Sequence, residues 1–137
     1  MIKWTIKYTD FDDVERTEEH WFGLSQTELT EMNSEKSGGM EKALKRIVAT
    51  QDTKQLIEIF KEFILKSYGE KSDDGRKFIK VRDGHRLADE FSQTAAYDAL
   101  FMELATDDAK ATKFITGIIP KALAEQLPED MKALPKA

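Results

Sequence analysis

Few residues of this chain have both the type and the spacing that chemistry requires. His20 and His85 are its only histidines, and neither has an HxxxH or HxH companion to begin a metal site. No cysteine is present, which removes thiolate nucleophiles, Cys-ligated zinc and disulfides together. Asp10, Asp12 and Asp13 lack the further oxygen ligands, the glycine and the closing glutamate of a calcium loop, as do Asp73 and Asp74; both groups read as turn chemistry. Ser37-Gly38-Gly39 before a helical stretch is able to cradle an anion, but without the lysine and glycine spacing of a phosphate loop it reads as helix entry or hinge. No serine sits in a G-x-S-x-G elbow. Carboxylates spaced four apart carry no catalytic information in a chain that is 34% charged. The residues therefore predict no catalytic, cofactor or metal site, and a protein that works by binding other protein.

One basic segment stands out. Lys71, Arg76, Lys77, Lys80, Arg82 and Arg86 outweigh Asp73, Asp74 and Asp83 by a net +3 over residues 71–86. Nucleic-acid binding there is disfavoured, because no aromatics interleave the cations and the whole chain carries a net charge of −5. A solvated loop is the simpler reading. The start, Met1-Ile2-Lys3-Trp4, has no basic head and apolar run, so no signal peptide is expected, and no apolar stretch approaches the ~20 residues of a membrane span. With no cysteine, a reducing cytosol is the expected setting.

The elements that would position these residues begin with alternation. Ile2, Trp4, Ile6 and Tyr8 share one face of a strand over residues 2–8, and residues 14–22 form its partner, ending in Trp21 and Phe22. A two-residue turn at Asp12-Asp13 sets Trp4 opposite Trp21 and Tyr8 opposite Thr17. Helices follow. Ser25 and Glu28 make a capping box for a short one. Residues 33–39 break it, and Met40, Ala43, Leu44, Ile47 and Val48 repeat at the helical period. Asp52 caps the strongest helix, where Leu56, Phe60, Phe63, Ile64 and Tyr68 line a core face and Gly69 stops the run. Ser72-Asp73-Asp74-Gly75 is an exposed turn. A further helix runs from near His85 to Phe91, one capped by Thr94 carries Tyr97, Leu100, Phe101 and Leu104, and one capped by Thr106 or Asp107 carries Ala111, Phe114, Ile115 and Ile118 up to Pro120.

The expected fold is mainly α: an N-terminal β-hairpin over 1–24, a helical domain of five to six amphipathic helices over 25–120, and a flexible tail over 121–137, forming one compact domain. So many apolar stripes exceed what one small core hides. Tyr97, Phe101, Met102, Phe114, Ile118 and Ile119 are the candidates for a partner-binding surface.

Several strings resemble a known family. Phe91-Ser92-Gln93-Thr94-Ala95-Ala96-Tyr97, Leu100 to Asp107, Phe114 and Gly117-Ile118-Ile119-Pro120 are similar to the tail assembly chaperones of long-tailed bacteriophages and prophages. So are Leu65 to Arg76, and Tyr8-Thr9-Asp10-Phe11 followed by Val14-Glu15-Arg16-Thr17. Asp12-Asp13 departs from the more glycine-rich turn expected there. The resemblance implies a non-enzymatic protein of the host bacterial cytoplasm, absent from the mature virion, that keeps the tape-measure protein soluble during tube assembly. It also admits the tail tube protein, a longer frameshifted form of the chain and a second copy as partners. The competing readings are a structural tail component, such as a connector or tube-associated subunit, and a nucleic-acid-binding regulator using residues 71–86.

Overall fold

The computed structural model describes residues 1–35, 49 and 53–120. The expected helix over residues 40–48, the Asp52 cap, Ser37-Gly38-Gly39 and the tail over 121–137 lie outside the described residues. Within them the chain forms strands β1 (Ile2–Thr9) and β2 (Glu15–Phe22), and helices α1 (Gln26–Ser34) and α2 (Thr53–Ser67). Strands β3 (Tyr68–Lys71), β4 (Phe78–Ile79), β5 (Val81–Arg82) and β6 (His85–Arg86) follow, then α3 (Leu87–Phe91), α4 (Ala95–Thr106) and α5 (Asp108–Ile118). The first four strands make one antiparallel sheet in the order β1-β2-β3-β4, and β5-β6 is a separate two-stranded ribbon.

This overturns the expected mainly α bundle: the fold is mixed α/β, with the hairpin extended into a four-stranded sheet. Strands of two to four residues are too short for a period-two pattern to show. Tyr68 continues the helical spacing of α2 in sequence, yet it opens β3, opposite Phe22. Residues 85–91 also divide differently from expectation, His85 and Arg86 pairing with Arg82 and Val81 before α3 begins at Leu87.

The hairpin register differs from the expected one by a residue. The turn closes with Asp10 N–H donating to Val14 O (2.9 Å) and Asp13 N–H to Asp10 O (3.0 Å), and Asp13 takes a left-handed φ of 60°. This is a three-residue loop, a tight turn followed by a left-handed residue, in place of a two-residue one. Trp4 therefore pairs with His20, Tyr8 with Arg16, and Trp21 with Lys3. A one-residue slip exchanges the two faces of a strand. Phe22 consequently turns into the core, while Trp21 turns out between the ammonium groups of Lys3 (5.8 Å from the ring centre) and Lys71 (5.7 Å).

The core lies between the sheet and the helices. Trp4 and Ile6 from β1 and Phe22 from β2 pack on Leu56, Ile59, Phe60, Phe63 and Ile64 of α2, and on apolar residues of α4 and α5. Phe22 is its aromatic hub, edge-on to Phe114 (5.1 Å), Tyr68 (5.6 Å) and Phe91 (5.9 Å). The helix signals worked locally. Thr94 Oγ1 accepts the Tyr97 N–H and Asp107 Oδ1 the Lys110 N–H, so Asp107 ends α4 and starts α5 in one extended residue.

Gly69 has a different job from the expected helix stop. It sits within β3, where an added Cβ would lie 2.8 Å from Ile79 O and 2.9 Å from the Phe78 ring. A backbone oxygen cannot swing aside. Gly69→Ala should therefore pry β3 from β4 and cost about 1–3 kcal/mol, the range for overpacking, seen as a lower urea midpoint at unchanged m-value.

Candidate functional site

The end of β2 is where the elements are tied together. Gly23 N–H donates to Ser67 O, the last residue of α2, and Leu24 N–H to Ile118 O, the last of α5, both at 2.7 Å. Two helix C-termini, which carry unsatisfied carbonyls by construction, thus find their donors on one turn of backbone. Ser25 then caps α1, and its N–H donates to Glu28 Oε1 at 3.0 Å while Glu28 N–H donates back to Ser25 Oγ at 3.0 Å. The capping box expected from sequence is present.

Lys80, from the segment between β4 and β5, closes this knot. Its ammonium donates to Gly23 O (2.9 Å), to Glu28 Oε2 (2.7 Å) and to Lys66 O in the last turn of α2. The cation stands at the negative end of α2, and its carboxylate partner in the first turn of α1, so both ends of the pair agree with the helix dipoles. Burial lowers the Lys80 ammonium's pKa, against the pull of Glu28 in the other direction. For Glu28 burial alone would raise the carboxyl, but hydrogen bonds from Lys80 and Ser25 outweigh it and hold the pKa below its ordinary value.

The sign for acid follows from Glu28. A carboxyl held low in the folded state adds stability above its ordinary pKa and loses it as pH falls through the lowered one. Asp10, held down first by Arg16 and then by the Val14 N–H, acts in the same direction. Urea midpoints should fall as pH drops from 7 through the carboxylate range, and Glu28→Gln should start lower at pH 7 and fall less steeply. An identical slope in the variant would remove Glu28 from the acid limb.

A groove of about 370 Å³ opens beside the knot, with Glu31, Glu62, Leu65, Val81, Arg86 and Asp89 in its walls. Its lining mixes both charges. Tyr68, also in that lining, stacks on Phe91 (4.1 Å, 6° between planes), and His20 leans on both rings. His20 Nε2 also lies 3.1 Å from Glu18 Oε1. Burial, with Glu70 nearby, raises the Tyr68 hydroxyl's pKa. His85 is exposed in β6. Among the described residues, no three His, Asp or Glu side chains gather as a metal ion would need. No described helix is long and apolar enough to cross a membrane.

The six residues proposed from sequence as a partner surface separate by depth. Phe114, Ile118 and Ile119 belong to the buried core. Tyr97 and Phe101, one turn apart on α4, are half-buried, and Met102 beside them is 52% exposed. The same helix is fixed to the sheet by Trp4 Nε1, which donates to Glu103 Oε1 at 3.0 Å. The basic segment is dispersed as well. Lys80 is in the knot, Arg82 pairs with Glu70 (2.6 Å) and Lys71 lies over Trp21.

Two features lie outside the sequence-level expectations. In sequence Lys80 is one cation among six; its three acceptors come from two other stretches of the chain, residues 23–28 and the end of α2. Phe11, inside the hairpin turn, is 82% exposed; an aromatic ring among turn-forming aspartates was the available signal.

Fold and site together define a small mixed α/β scaffold, knotted by one ammonium, that presents apolar side chains on α4 and at the hairpin tip. Residues 1–137 match the family model described as phage tail assembly chaperone, and the chain belongs to that family. No curated protein and no solved structure matches it.

Proposed function

We propose that this chain holds the tape-measure protein soluble in the host cytoplasm while the tail tube assembles around it, and is left out of the finished virion. The observation that carries this reading is the family match over residues 1–137, which makes the chain a tail assembly chaperone. The client adds the physical need. A long amphipathic helix without its tube exposes an apolar stripe and aggregates, and a chaperone must offer apolar surface that its own core leaves free. Met102 with the outer edges of Tyr97 and Phe101 on α4 is the surface proposed for that contact. Phe114, Ile118 and Ile119 lie in the buried core and are not part of that proposed surface.

Co-expression tests this directly. The tape-measure protein encoded with this chain should shift from the pellet to the soluble fraction and co-purify with it. No gain in solubility and no co-purification would refute the reading. A structural tail role draws on one observation, the position of β1 at the edge of the sheet, where a strand can be added; the protein's presence in purified virions would favour it instead.

A further inference from the structure

We propose that the tip of the β1–β2 hairpin is a second contact for the client, an apolar anchor in an acidic collar that takes a helix whose apolar stripe is flanked by lysine and arginine. It rests on the client reading above and gives that contact a place and a chemistry.

Phe11 is 82% exposed and Val14 50%, and neither belongs to the core cluster. The turn does not need the phenyl ring; its closure is carried by Asp10. The Asp10 carboxylate accepts the N–H of Asp12 (2.8 Å) and of Val14 (3.0 Å) through Oδ1 and binds Arg16 Nε through Oδ2. With the two backbone bonds between Asp10 and residues 13 and 14, five interactions fix a loop of three residues. The ring is thus held out on a rigid mount. An exposed aromatic whose backbone is already ordered loses little entropy on docking, which is how a small contact becomes a strong one.

Charge selects the occupant. Asp12, Asp13 and Glu15 are the chain neighbours of Phe11 and Val14 and are all exposed, while the cation next to them, Arg16, is paired with Asp10. Nucleic acid and an anionic membrane are repelled by such a collar; a basic-flanked apolar helix is drawn to it. A second copy of the chain is a weaker match, because its exposed Arg76 and Lys77 share their turn with Asp73 and Asp74.

Two variants test this on the full chain: Phe11→Ser, and the pair Asp12→Lys with Glu15→Lys. All three positions are exposed and outside the core, so melting temperatures should stay at the wild-type value. Co-expressed with the tape-measure protein, Phe11→Ser should reduce the co-purified client by about ten-fold or more, the loss expected of one anchoring side chain. The charge-reversed pair should show a comparable loss at low salt, and wild-type capture should weaken as salt rises. A benzophenone amino acid placed at Phe11 should cross-link to a client peptide with apolar residues at helical spacing between Lys or Arg. Wild-type capture with Phe11→Ser undiminished would overturn the tip contact and leave the client reading standing. Failure of the wild type to capture the client would overturn both. A change in sedimentation of the chain alone on Phe11→Ser, with client capture intact, would make the occupant a second copy and overturn the proposal as stated.

Discussion

Phe22→Ala should lower stability by about 3–5 kcal/mol, the usual cost of truncating a buried aromatic. For a chain of this length that is roughly a 10–15 °C fall in melting temperature, and a large part of the 5–15 kcal/mol typical of a domain. Phe22 is fully buried, and its ring meets Phe114, Tyr68 and Phe91 edge-on, so one truncation opens a cavity between the sheet, α3 and α5. The neighbours cannot collapse into it easily, since each belongs to a different element. Its chain neighbour is the control. Trp21 has the larger ring, yet it lies on the outer face with Lys3 and Lys71. Trp21→Ala should cost only about 1 kcal/mol, mostly lost cation–π contact and partial burial. The two variants together test the hairpin register by calorimetry. In the alternative register, where Trp4 faces Trp21, the order of the two costs would be reversed.

Lys80→Met should be the second most damaging change, at about 2–4 kcal/mol, by leaving a carboxylate and two backbone carbonyls without their donor. The stem of the side chain is kept, so the loss reports the ammonium and not its packing. Lys66 O and Gly23 O are the acceptors orphaned, along with Glu28 Oε2. Glu28 keeps its bond to the Ser25 N–H, so α1 should remain capped. The double variant Lys80→Met with Glu28→Gln should cost clearly less than the two singles added, because it no longer leaves an unpaired charge in the knot. Strict additivity in urea denaturation would show that the pair is not coupled and that the Lys80 contribution comes from the carbonyls alone.

Local signals in the sequence were strong where one stretch of chain suffices. The Ser25–Glu28 box, the Thr94 cap, the core face of α2 from Leu56 to Ile64 (though not Tyr68) and the turn at Ser72–Gly75 appear as expected, because a cap, a turn or a helix face is set by residues within a few positions of each other. The family was legible too, from strings such as Leu65 to Arg76 and Phe91 to Pro120. The sheet was not. β2 and β3 are separated by 45 residues in the chain, and β3 and β4 are too short to announce themselves, so the expected bundle of helices replaced a layer of strands.

The residues proposed as a partner surface show the same division. Apolar type and helical spacing grouped Tyr97, Phe101 and Met102 with Phe114, Ile118 and Ile119, and composition had no means of separating them. Docking α5 on β1 and on Phe22 placed the last three in the core and left Met102 in solvent. The lack of a cysteine, the absence of a paired histidine motif and the acidic balance were fixed by sequence alone, since composition does not depend on folding. Which lysine becomes a knot, which tryptophan faces outward and which phenylalanine stands exposed on a rigid turn were decided only by tertiary structure. Each depends on what other segments bring to meet it: three acceptors for Lys80, two cations for Trp21, and for Phe11, among the described residues, no core neighbour.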